Sequence, residues 1–263
     1  MTTALVDLGH GVCIEVTERG ESPDVVLLPS ADRAASDFAR LASDLQEAGV
    51  GSLALSPRGV AGSVGPTDQL DLRSLAEDVA GVIDRIIGGP AHVVGHALGN
   101  TIARATAAYR PDVVRSVSLL ACGGHDVARH PPSPEVMEAF GRCHQVELPR
   151  ADRLAALSVA FFAPGNDPSA WLEGWYPEGR PVAAALGRSD WREWYLAGAA
   201  PVLILQPVHD QMAPVEVGRK LAADLGGRAS YVELANCGHA ILPEQPAAVA
   251  RHLLDFFTHL GSA

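Results

Sequence analysis

The chain of 263 residues has room for one large domain, or for one domain with an inserted lid, and needs no metal or disulfide to hold its core. With 48% hydrophobic and 19% charged residues it is not a disordered chain. Its formal charge of −11, from 31 acidic against 20 basic side chains, speaks against nucleic acid and anionic membranes as partners.

Strands are predicted at 5–8 and 12–17, with Gly9-His10-Gly11 as the turn between them. The unbroken apolar run at 25–28, ended by Pro29, suits a strand covered on both faces, as in a parallel sheet. A helix follows at 36–48, with Phe38, Leu41 and Leu45 on one face and Gly49 as its stop. A short strand at 53–55 leads into a Gly/Pro-rich loop at 56–67. Apolar residues at 72, 75, 79, 82, 83, 86 and 87 repeat with the helical period and predict a helix over 72–87. A strand at 91–94, a helix at about 98–109 and a strand at 114–120 continue the pattern. A strand at 202–205, a helix at 215–225, a strand at 231–234 and a helix at 246–260 close it. Strands alternating with helices over short links predict an α/β fold, doubly wound, with helices on both faces of a mostly parallel sheet.

Residues 123–198 break the alternation. They offer helix candidates near 134–145, 151–162, 168–176 and 181–196 and no convincing strand. They also hold nine of the chain's 14 aromatic residues, including all four tryptophans. Some of these rings pack the insert onto the sheet, and others are expected to line an apolar pocket between the two. The domain reading is therefore a core made of 1–122 and 199–263, with a helical cap at 123–198. Cys13, Cys122, Cys143 and Cys237 show no Cys-x-x-Cys spacing, which points to reduced thiols without a metal. No signal-peptide pattern opens the chain and no apolar run reaches the roughly 18–20 residues of a membrane span, so a cytoplasmic location is expected.

The segment His92-Val93-Val94-Gly95-His96-Ala97-Leu98-Gly99-Asn100-Thr101 reads as a strand, a sharp turn and a helix. Gly95 and Gly99 have the spacing of G-x-S-x-G, the nucleophile elbow. Glycine at these two places lets strand and helix approach closely, and the helix N-terminus then lies beneath the reacting group, where the Leu98 N–H stabilises an oxyanion. With these features the chain resembles the α/β-hydrolase superfamily over nearly its whole length, with 123–198 in the place of the variable cap. Val202-Leu203-Ile204-Leu205-Gln206-Pro207-Val208-His209-Asp210 is similar to the strand and loop that present the family's acid. Asn236-Cys237-Gly238-His239-Ala240 is similar to the loop of its histidine, and Arg58-Gly59 to a recurrent turn. The resemblance implies a mostly parallel eight-stranded sheet and a catalytic set at positions 97, 210 and 239.

Position 97 is alanine, whose methyl group cannot attack a carbonyl. Three readings stand: an alanine inherited in place of serine, a serine replaced to trap a substrate, or a nucleophile elsewhere, with Cys122 and Cys237 as weak candidates. In each, Asp210 orients His239 and fixes its tautomer, leaving the other ring nitrogen as a general base. Asp126 and Asp32 are lesser candidates for the acid. The second oxyanion donor is expected from the loop after 25–28, where this chain has Pro29-Ser30-Ala31 and lacks the family's usual glycine. The Ala31 N–H is the choice, with the Ser30 hydroxyl as a further donor. His96, Trp171, Trp175 and Phe161 are expected in the substrate pocket.

The function expected is an enzyme, acting on a small apolar ester, lactone or activated C–C bond. Rivals are a non-hydrolytic base catalyst (cyclisation, elimination or cofactor-free oxygenation) and a ligand-binding protein that has lost turnover. No cofactor is called for. The partner is a small apolar molecule, and the chain acts as a monomer or homodimer.

Overall fold

The computed structural model describes residues 1–123, 130–145 and 147–261. Eight strands form one sheet: β1 (Thr2–Gly9), β2 (Val12–Arg19), β3 (Val25–Leu28), β4 (Ser52–Leu55), β5 (Ala91–His96), β6 (Val114–Leu120), β7 (Val202–Pro207) and β8 (Ala229–Leu234). Their spatial order is β1-β2-β4-β3-β5-β6-β7-β8. The first two are antiparallel, and every pairing from β4 onward is parallel. All residues of β3, β5 and β7 are buried, as central strands covered on both faces must be, whereas β1 at the edge is mostly exposed.

Helices cover both faces. On one side lie α1 (Ala39–Glu47) and the C-terminal helix, Pro246–Gly261; on the other lie α2 (Leu72–Val82) and α3 (Leu98–Tyr109). The helix predicted over 72–87 ends early: after Val82 the chain loosens into a π turn, Ile83–Ile87, stopped by Gly88 in the left-handed conformation.

Between β6 and β7 the insert contributes α4 (Pro134–Cys143), α5 (Arg150–Ala160), α6 (Arg180–Ala185) and α7 (Trp191–Trp194). The predicted helix at 168–176 is only a 3-10 turn, Pro168–Trp171, followed by Gly174 at positive φ. That at 181–196 is broken between α6 and α7, where the Asp190 side chain accepts from the Arg192 N–H at 3.0 Å and starts a new turn. Helices α8 (Val215–Leu225), α9 (Ile241–Glu244) and α10 (Pro246–Gly261) complete the chain; α9 has no counterpart in the sequence reading. No helix among the described residues is long and apolar enough to cross a membrane.

The parallel strands end on the same edge of the sheet, so the loops leaving β3, β5, β7 and β8 gather there. In open α/β sheets this edge is where ligands bind.

Candidate active site

The turn after β5 places Ala97 at φ 49° and ψ −110°, a conformation that L-residues avoid. Its N–H donates to the Leu120 carbonyl at 3.0 Å, and its own carbonyl accepts from Asn100 at 3.1 Å. A β-carbon on Gly95 would collide with the Gly99 carbonyl, and one on Gly99 with the carbonyls of Leu28 and Pro29. Only hydrogen fits at either place. Leu98 opens α3, so its N–H has no partner within the helix.

Asp210 follows β7 and His239 follows β8. Two backbone bonds tie these loops together, from Val208 to the Leu234 carbonyl at 3.0 Å and from His209 to the Cys237 carbonyl at 2.9 Å. The pairing brings the His239 Nδ1 within 3.0 and 2.9 Å of the two Asp210 carboxylate oxygens. Asp210 Oδ1 also accepts from the N–H groups of Met212, at 2.8 Å, and Ala213, at 2.7 Å, so the carboxylate is fixed from three donors. Because Nδ1–H points to Asp210, Nε2 of His239 carries the free lone pair.

His239 and Ala97 line one cavity of about 570 Å³ between the sheet edge and the insert. Ser30, Ala31 and Leu98 line it too, as do Phe161, Trp171 and Trp175. Trp191 and Trp194 complete the set, so every tryptophan in the chain borders this space. The Phe161 ring centre lies 5.7 Å from that of His239 and 5.1 Å from that of Trp171. A few polar side chains, Ser30, Arg33, Thr101 and Ser189 among them, interrupt the apolar wall.

His96 is the correction among the residues expected in the pocket. It does not line the cavity; it is fully buried beneath it, where its Nε2 donates to the His239 carbonyl at 2.8 Å. The reason is strand geometry: side chains alternate across β5, so the residue before the elbow points into the protein. Burial, reinforced by the nearby His239, pushes the His96 imidazole down to about 3, which leaves it neutral. The lesser candidates fall elsewhere. Asp32 bonds His144 at 3.1 Å, and Asp126 lies outside the described residues. His209 is exposed. Cys122 and Cys237 are fully buried, do not border the cavity, and burial raises both thiols above their ordinary range, away from the nucleophilic thiolate.

Sequence reasoning missed Glu244. Its carboxylate accepts from the N–H groups of Ala163 and Gly238, at 2.8 and 2.7 Å, and from the Asn166 amide at 2.6 Å. It thereby joins the histidine loop to the segment that follows α5. Its position five residues after His239 was the available signal, but the partners at 163 and 166 are supplied by folding.

The alpha/beta hydrolase family model matches residues 25–252, from the start of β3 into the first turns of α10. The chain belongs to this family. The AB hydrolase superfamily protein YisY of Bacillus subtilis (strain 168) is 26% identical over 227 residues, 81% of this chain and 84% of that protein. An esterase from Exiguobacterium antarcticum has a TM-score of 0.80 at 18% identity, covering 97% of this chain and 99% of the esterase. The enol-lactonase from Burkholderia xenovorans LB400 has a TM-score of 0.72 at 23% identity, over 94% and 97% of the two chains.

Proposed function

We propose that the protein acts on a small apolar ester, lactone or activated C–C bond, with His239 as general base, Asp210 as its orienter, and the N–H groups of Leu98 and Ala31 as the oxyanion hole. The observation that carries this reading is the Asp210–His239 pair, 2.9 Å apart, on the same cavity as Ala97. A pocket kept only for binding has no need of an oriented imidazole. The esterase and the enol-lactonase that share the fold lend support to ester or lactone substrates. With serine at 97, its oxygen attacks the carbonyl while His239 takes the proton and returns it to the leaving group. With alanine, His239 draws the proton from a water that attacks the same carbon, and the oxyanion again rests on the two N–H groups.

A second reading follows from Ala97 itself. Without a nucleophile, the same base and hole suit removal of a proton from the substrate, with the enolate or phenolate held in the hole. Both readings place a ring or alkyl chain against Phe161, Trp171 and Trp175, in what we read as a helical cap at 123–198.

The test is Ala97→Ser. It should give a burst and turnover on a short p-nitrophenyl ester, and His239→Ala in that background should remove about 10³-fold or more of the rate. If Ala97→Ser shows neither burst nor turnover on any ester, the assignment of the elbow and its base is wrong.

A further inference from the structure

The loop after β3 is held by the insert. Asp32 directly follows Ala31 and stands at φ 56°, a left-handed backbone on a residue that is not glycine. Its Oδ2 lies 3.1 Å from Nε2 of His144 at the C-terminal end of α4, with both side chains nearly buried. Nδ1 of the same ring lies 3.1 Å from the Phe140 carbonyl, so both nitrogens face oxygen acceptors. The other carboxylate oxygen, Oδ1, is buried without a hydrogen-bond donor among the described residues, which leaves His144 as the side chain that holds Asp32. The Asp32 carbonyl accepts from the Tyr176 N–H at 2.9 Å. Arg33, the next residue, donates to the Glu173 carbonyl at 2.8 Å, and its guanidinium packs over the rings of Trp171 and Trp175 at 4.9 and 4.8 Å. A β-carbon on Gly179 would stand 3.1 Å from Asp32 Oδ1, so glycine lets the insert come this close.

A left-handed aspartate persists only where its surroundings over-determine it. Within the core, the Arg33 N–H closes a turn on the Ser30 carbonyl at 3.3 Å and Arg33 pairs with Asp37 at 2.6 Å; the contacts to Asp32 itself from His144, Tyr176 and Gly179 come from the insert. We propose that Asp32 is a positioning residue, and that its bond to His144 holds the Ala31 N–H on the oxyanion, so that the hole forms only when the insert is seated. This rests on the oxyanion-hole reading above and adds to it a dependence on the insert.

Direct binding of p-nitrophenol to the Ala97 protein reads the hole without turnover. The bound anion is followed by its phenolate absorbance at fixed pH, and p-nitroanisole, which cannot ionise, reports on the cavity alone. Asp32→Ala and His144→Ala should each weaken phenolate binding about tenfold or more, because a charge-assisted hydrogen bond is lost, while leaving p-nitroanisole binding in place. His144→Gln keeps a donor for Asp32 and should retain most of the phenolate binding. Asp32→Asn, closer in size, replaces Asp32→Ala if the latter does not fold. Unchanged phenolate binding in the alanine variants overturns the proposal. So does parallel loss of both probes, which marks a collapsed pocket, or a parent that binds p-nitroanisole and no phenolate. An inactive Ala97→Ser with the phenolate response intact sinks the hydrolytic reading and leaves this one standing.

Discussion

At position 97 the backbone pays for a corner that its side chain does not use. Ala97 at φ 49° and ψ −110° holds strain of about 1–3 kcal/mol. A serine in that conformation gains a hydroxyl on the cavity; a methyl group gains nothing. Glycine relieves the strain at the cost of some unfolded-state entropy, so Ala97→Gly should raise stability by about 1 kcal/mol, read as a rise in the urea midpoint. An unchanged or lower midpoint would mean that the corner is unstrained. Histidines at the sheet set the response to acid. Burial pushes His92 down to about 4 and His96 to about 3, from an ordinary value of 6.5. The unfolded chain therefore takes up protons that the folded chain refuses. The stability these two neutral rings confer is complete above pH 6.5 and is lost as the pH falls toward 4 and below. His96 alone should account for about 3 kcal/mol of loss between pH 7 and pH 4. In His96→Gln, which keeps a donor to the His239 carbonyl but cannot titrate, unfolding free energy measured against pH should be flatter over that interval.

Strand-to-helix packing at the elbow has no slack. Gly95 faces the backbone of Gly99, and Gly99 faces the end of β3, so three elements meet through hydrogen atoms alone. Adding one methyl at either site forces β5 and α3, or α3 and β3, apart. Gly95→Ala and Gly99→Ala should each cost more than about 3 kcal/mol, at the upper end of overpacking penalties. Loss of soluble protein or a large drop in melting temperature is the expected readout, and a melt close to the parent's would show that the elements can separate without harm. The elbow was legible in the sequence because its rule is local: two glycines four residues apart, between an apolar strand and a helix. Two helix breaks were harder to see. Helical periodicity runs through 72–87 and 181–196, yet the first loosens into a π turn after Val82 and Asp190 restarts the second.

Over the whole molecule, the sheet collects four loop ends at one edge and the insert closes a cavity of about 570 Å³ over them. All four tryptophans border it, so an apolar aromatic compound that enters must change their environment. Binding of 1-naphthyl acetate or a like-sized arene should alter tryptophan fluorescence and, at 100 times its Kd, stabilise the fold by about 2.7 kcal/mol. A hydrophilic compound of equal size, such as a hexose, should do neither. If the sugar binds and the arene does not, the apolar character assigned to the pocket is mistaken.

Alternation of apolar runs with helical periods was enough to define the α/β sheet, and Gly95, Asp210 and His239 could be picked out because each sits in a short local pattern. Periodicity says which face of an element is buried, but not which distant side chain it meets there. The union of Asp210 with His239, the turning of His96 beneath the pocket, the Asp32–His144 bond and the three donors to Glu244 all join residues far apart in the chain. Those pairings depend on how loops of fixed length reach across one sheet edge and on how the insert packs over it. That reach is a property of the folded chain, written in no segment of it.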